Sequence, residues 1–183
     1  MKEYLIKYRP FLQFLAVFLL SYLALIGLYQ LYLSQFDSAI FEVDGITQIV
    51  AEQSRMVLDG FGYNVTLSPH LSDPSVKVNI DGVAIVRIIE GCNAISVMIL
   101  FVAFILAFSN GFTKTLGFII VGLIIIHVLN VVRIALITIG IMKYPEYTHI
   151  LHGVIFPLVI YGIIFLLWII WVTKFTSNAT KPA

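Results

Sequence analysis

The sequence predicts an all-α polytopic membrane protein of about four transmembrane helices, with a small external insertion built from a helix and a β-hairpin. Three observations predict it. The 183-residue chain is 60% hydrophobic and only 11% charged, whereas a soluble domain carries about a quarter charged residues. Four apolar runs are each long enough to cross about 30 Å of hydrocarbon, which takes roughly 20 helical residues. Most of the acidic and turn-forming residues fall in one stretch, 34–89, between the first two runs. The net charge of +1 provides no basic field for nucleic acid, which is set aside as a partner. The whole of 1–183 reads as a single membrane domain lying in lipid.

The first span covers about 11–33. Lys2, Lys7 and Arg9 precede it as in a signal peptide, but the apolar stretch is too long, and Leu31-Tyr32-Leu33 offers no small-residue cleavage site. A retained helix is expected. Within the insertion, Ile46, Ile49, Val50, Val57 and Phe61 follow helical spacing around Gln48, Glu52, Gln53 and Arg55, which predicts an amphipathic helix on the bilayer or on the bundle. Val76, Val78 and Ile80 then alternate with Lys77 and Asn79 before the turn dipeptide Asp81-Gly82, and Val83 to Ile88 would pair back as a hairpin. A third strand is expected over 63–67. The second span covers about 92–108, with Val83 to Ile89 as an apolar extension if the helix runs further. The third covers about 115–141 and the fourth about 150–172, closing on Trp168 and Trp171 in the manner of an interfacial belt. Gly117, Gly122, Gly140 and Gly162 are expected at helix-packing positions.

Basic flanks set the orientation. With the N-terminus inside, Lys2, Lys7, Arg9, Lys114, Lys174 and Lys181 fall on the cytoplasmic side. The other side receives Arg55, Lys77, Arg87 and Lys143, diluted by Asp37, Glu42, Asp44, Glu52, Asp59, Asp73 and Asp81. Both termini are expected inside.

This topology gathers three reactive side chains at one membrane face. Cys92, the only cysteine, starts the second span, so an internal disulfide is excluded. Arg133 lies about 27 Å along the third helix from Thr115, at 1.5 Å per residue, and so near the same face. His149 and His152 open the fourth span from that side. Each also has a plainer reading. A free cysteine often acts as a small hydrophobe, an arginine snorkels, and a histidine can be an ordinary interfacial residue. Position favours chemistry: Cys92 is expected at a helix N-terminus, where the dipole favours thiolate, and Gly91 removes bulk beside it. Glu90 opposes a second anion unless it is itself paired. A guanidinium stabilises an oxyanion or holds a carboxylate, and Asn130, one turn before Arg133, is placed to orient it. A histidine can take a thiol proton and return it to a leaving amine. His127 is expected to hydrogen-bond within the bundle. No tight metal-ligand spacing and no phosphate-binding glycine loop occurs, so neither a metal nor an organic cofactor is expected.

Glu90-Gly91-Cys92-Asn93-Ala94, then Asn130-Val131-Val132-Arg133-Ile134, then His149 with Gly153 and Phe156 resemble the exosortase/archaeosortase family. The compact size and the Glu-Gly-Cys-Asn form look most like its short group XrtF, found in Bacteroidetes. The resemblance covers about 80–165 and, more weakly, the whole chain. It implies a membrane-embedded cysteine transpeptidase of the bacterial cytoplasmic (inner) membrane, with its site facing the periplasm. Its partners would be exported proteins with a C-terminal hydrophobic helix and a basic tail. By motif position Cys92 corresponds to the nucleophile, Arg133 to the essential arginine and His149 to the histidine four residues before glycine, with His152 competing for that role. Many members have more spans and Ser-Gly after the cysteine, where this chain has Asn93-Ala94. Two other classes compete with this reading: a non-catalytic assembly or transport subunit, and an acyltransferase acting on a lipid or polysaccharide carrier.

Overall fold

A computed structural model describes residues 7–109 and 111–176. Lys2, Lys181 and most of the polar tail that entered the orientation argument lie outside the described residues. Helix α1 (Arg9–Leu33) starts with Pro10 in its first turn, where a missing N–H costs nothing. Asp44 then caps α2 (Gly45–Gly60): its carboxylate accepts the Thr47 N–H at 2.9 Å. A three-stranded antiparallel sheet follows in the order β1 (Val65–Pro69), β2 (Ser75–Ile80), β3 (Val83–Ile89). Ile80 pairs with Val83 across the two-residue Asp81-Gly82 loop, and both loop residues have positive φ, +51° and +81°, which the tight hairpin turn requires.

The tight turn Glu90–Cys92 links β3 to α3 (Ile95–Ala107), and α4 (Phe112–Lys143) follows. The last helical region begins with the turns Pro145–Tyr147 and Thr148–Ile150, widens into a π turn at Leu151–Ile155, and continues as α5 (Phe156–Ile170) into a second wide turn, Trp171–Thr176. Pro157 accounts for the first widening, because it has no N–H for the carbonyl four residues back and its ring crowds that carbonyl.

Among the described residues, three helices are long and apolar enough to cross a membrane: Arg9–Leu33, Phe112–Lys143 and Pro145–Phe175. The expected second span differs. Its helix has 13 residues, about 20 Å, and the stretch Val83–Ile89 is a strand rather than a helical extension. Ala94 at φ +64° is in the left-handed region, so a helix cannot run back through it.

Two cores divide the molecule. In one, Val50, Ala51 and Leu58 of α2 meet Val76, Val78 and Ile80 of β2 and Ile134 and Ala135 of α4, so the insertion sits on the C-terminal part of α4. The 32 residues of α4 would rise about 48 Å, and the surplus over a membrane crossing is the part that the insertion covers. The buried stripe of α2 is Thr47, Val50, Ala51, Ser54 and Leu58; of the expected residues Val50 is buried and Val57 packs against the core, but Ile49 and Phe61 are exposed. Small polar residues fit that stripe because the Ser54 hydroxyl bonds the Val50 carbonyl and the Thr47 hydroxyl accepts from Asn93. In the second core, Phe101 and Ile105 of α3 pack with Ile126 of α4, Ile160 and Ile164 of α5, and Trp171. A Cβ on Gly122 would run into the Phe101 ring, and one on Gly140 would come within 3.1 Å of Leu151, so these two glycines hold packing positions. Gly117 and Gly162 face open space and do not.

Candidate active site

Cys92 lies on the turn Glu90–Cys92, half-buried, and packs against the core under the insertion. It does not start α3, as expected from the sequence; two residues separate them. Asn93 supplies the helix start instead, its Oδ1 accepting the Ile95 N–H at 2.9 Å. The Cys92 carbonyl accepts a hydrogen bond from Asn130 Nδ2 at 2.7 Å, and Asn130 Oδ1 accepts from Arg133 Nη1 at 3.2 Å. Asn130 is fully buried, so one amide joins the thiol turn to the guanidinium. Arg133 Nε is buried without a hydrogen-bond partner. A buried donor left open is costly unless something arrives to accept from it.

Residues that sequence reasoning did not select complete the surroundings. The Tyr29 hydroxyl of α1 donates to Glu90 Oε1 at 2.6 Å and accepts from Asn93 Nδ2 at 2.8 Å. The same Asn93 amide reaches Thr47 Oγ1 of α2 at 3.3 Å. Glu90 is therefore held in place by a neutral phenol and has no cationic partner among the described residues. Two elements, α1 and α2, thus hold Glu90 and Asn93 on either side of Cys92. The signal for this in the sequence was Glu90 itself; its partner stands 61 residues away and had none.

The histidines are placed differently. His149 and His152 are exposed on the turns that lead into α5, and neither hydrogen-bonds to Cys92 or Arg133. Leu151, between them, rests over Gly140, seven residues beyond Arg133 along α4 or about 10 Å of rise. Cys92, Asn130 and Arg133 are thus brought together, and the histidines sit further along α4. His127 is half-buried, and its partner is Gln53 Oε1 of α2 at 2.7 Å rather than a group within the bundle.

Fold and site together define a polytopic membrane protein whose one cysteine lies in a polar cluster at the insertion end of its bundle. A family model described as Transmembrane exosortase (Exosortase_EpsH) matches residues 11–169. The chain belongs to the transmembrane exosortase family. Comparison with curated proteins and with solved structures finds no match.

Proposed function

We propose that this protein is a membrane-embedded cysteine transpeptidase or protease that cleaves C-terminal sorting signals of exported proteins at the periplasmic face of a bacterial inner membrane. Family membership supports the class. The observation that carries the residue assignment is the fully buried Asn130, whose amide joins the Cys92 carbonyl to the Arg133 guanidinium. Cys92 Sγ attacks the scissile carbonyl as its proton passes to His149, which must first swing in from its exposed turn further along α4. Arg133 faces the developing oxyanion with its open Nε–H. His149 returns the proton to the leaving amine as the C–N bond breaks, which leaves an acyl-thioester on Cys92. Water or an acceptor amine then attacks the thioester carbonyl, His149 takes the incoming proton, and the thiol is regenerated. His149 is assigned by its place four residues before Gly153; His152, on the same exposed turns, is the competitor. Lys7, Arg9, Lys114 and Lys174 support cytoplasmic termini. The Glu-Gly-Cys-Asn form supports the XrtF group as the part of the family to which this protein belongs.

The test is substrate capture in membranes. Wild type and Cys92→Ala are purified after co-expression with exported proteins carrying a C-terminal helix and basic tail, and examined by intact mass spectrometry. A hydroxylamine-sensitive peptide adduct on the wild type alone is expected. An adduct of lipid or sugar mass would replace the peptide substrate with a carrier-linked one. No adduct, together with Cys92→Ala retaining function in cells, would overturn the catalytic assignment in favour of an assembly subunit.

A further inference from the structure

Strand β1 is an edge of the sheet, bonded only to β2. The Asp81 N–H bonds the Asn64 carbonyl at 3.1 Å and the His70 N–H bonds the Ser75 carbonyl at 3.0 Å. Antiparallel ladders alternate, so the even-numbered residues of this strand direct their main-chain groups to β2, and Val65, Leu67 and Pro69 direct theirs outward. The Val65 N–H is taken by Asp59 Oδ1 at 3.3 Å, and Pro69 has none. Leu67 therefore offers the free N–H and C=O pair of this edge. A cavity of about 720 Å³ is lined by Leu67, Ser68 and Pro69 on one side and by the first half of α2 on the other. Consecutive strand side chains alternate between faces, so a cavity touching all three runs along the edge itself.

The walls state what would fill it. Phe41 and Ile49 stand exposed at its rim. Glu42 and Glu52 line it, and no lysine, arginine or histidine does. Glu52 is already ion-paired with Arg55, which lies outside the lining, so Glu42 carries most of the groove's uncompensated negative charge. Direction adds the rest. Strands β1 and β3 are both antiparallel to β2, so they run the same way, and β3 leads straight into the turn that carries Cys92. A chain added outside β1 would lie about 14 Å from β3, three strand spacings, which about four extended residues cover.

We propose that this groove is a substrate subsite: an extended segment N-terminal to the scissile bond adds as a fourth strand parallel to β1, bonds Leu67, and sets a lysine or arginine side chain toward Glu42 and Glu52. The proposal rests on the transpeptidase reading, since it gives the segment a destination at Cys92. Main-chain bonds supply the affinity, as in other strand-addition sites, and the acidic wall, chiefly Glu42, supplies the selectivity.

The test uses full-length Cys92→Ala in nanodiscs, which has no other cysteine. A benzophenone is attached at Ile49→Cys on the groove wall or, as control, at Met56→Cys, equally exposed on the same helix but outside the lining. The probe is a fluorescent Val-Thr-Val-Lys-Val-Thr-Val peptide. Saturable crosslinking from position 49 and not from 56 is expected. Methylating alternate peptide nitrogens, or replacing the peptide lysine by glutamate, should weaken it about tenfold. Glu42→Gln should make the lysine and glutamate peptides more alike. Absence of saturable crosslinking, equal crosslinking from both positions, or indifference to methylation would overturn the subsite. Because binding is read without the thiol, an adduct on wild type with an indifferent groove removes only the subsite. Peptide binding without any adduct removes only the catalysis.

Discussion

Tyr29 and Asn93 show that Cys92 is positioned through its neighbours. One phenol hydroxyl serves both Glu90 and Asn93, and Asn93 in turn starts α3. Because the two side chains act as a unit, their losses should not add. Tyr29→Phe and Asn93→Ala should each lower stability by about 1–3 kcal/mol, with a coupling of about 0.5–3 kcal/mol in a double-mutant cycle read from denaturant unfolding in detergent. Additive losses would mean that the two contacts are independent. Ala94 permits a sharper prediction in the other direction. Its φ of +64° lies in the left-handed region, which suits glycine better than a residue with a β-carbon. Ala94→Gly should therefore raise stability by about 0.5–1 kcal/mol, whereas Ala94→Val should lower it. At this scale the nearness of Cys92, Asn130 and Arg133 was legible, because the topology read from the sequence set them at one depth. Tyr29 and Thr47 were not, since one phenol in an apolar helix and one threonine in an amphipathic one carry no mark of partners 61 and 46 residues away.

Helices announced themselves by length and apolarity, but their ends and contact faces depended on tertiary detail. The start of α3 was misplaced because Cys92 to Phe108 is continuous in character, while Asn93 and Ala94 break the backbone within it. The face of α2 was misjudged for a related reason. Thr47 and Ser54 look like solvent residues, but Ser54 satisfies its hydroxyl on the Val50 carbonyl one turn back, and Thr47 finds Asn93 only once the chain has folded. The four glycines separate in the same way. Gly122 lets α3 and α4 approach until the Phe101 ring lies over its Cα, so Gly122→Ala should cost about 1–3 kcal/mol by overpacking. Gly162 faces open space, so Gly162→Ala should stay within about 0.5 kcal/mol. Thermal unfolding of the two variants in the same detergent checks both, and equal effects would remove the distinction between contact and lipid-facing glycines.

The short α3 nevertheless links the two ends of the bundle. At one end Asn93 meets Tyr29 of α1; at the other the Phe108 ring lies 4.5 Å from that of Phe14 and the Phe108 carbonyl accepts from Trp171 Nε1. Fifteen residues of α1 separate these contacts, a rise of about 22 Å, which is less than the usual hydrocarbon thickness of about 30 Å. Cys92 therefore lies below the level that α1 and α4 reach at the insertion end, where a spanning α3 would need a thinned bilayer or admitted water. On the proposed four-pass topology α3 completes a crossing, and the chain returns to the side from which it set out. Leu71, 84% exposed on the insertion, and Lys114, exposed where α4 begins, must then face opposite compartments. In a Cys92→Ala background, Leu71→Cys should react with a membrane-impermeant maleimide added to intact spheroplasts, and Lys114→Cys should react only after lysis. The reverse pattern would put the thiol in the cytoplasm, away from exported substrates. Labelling of both positions in intact cells would mean that α3 does not complete the crossing.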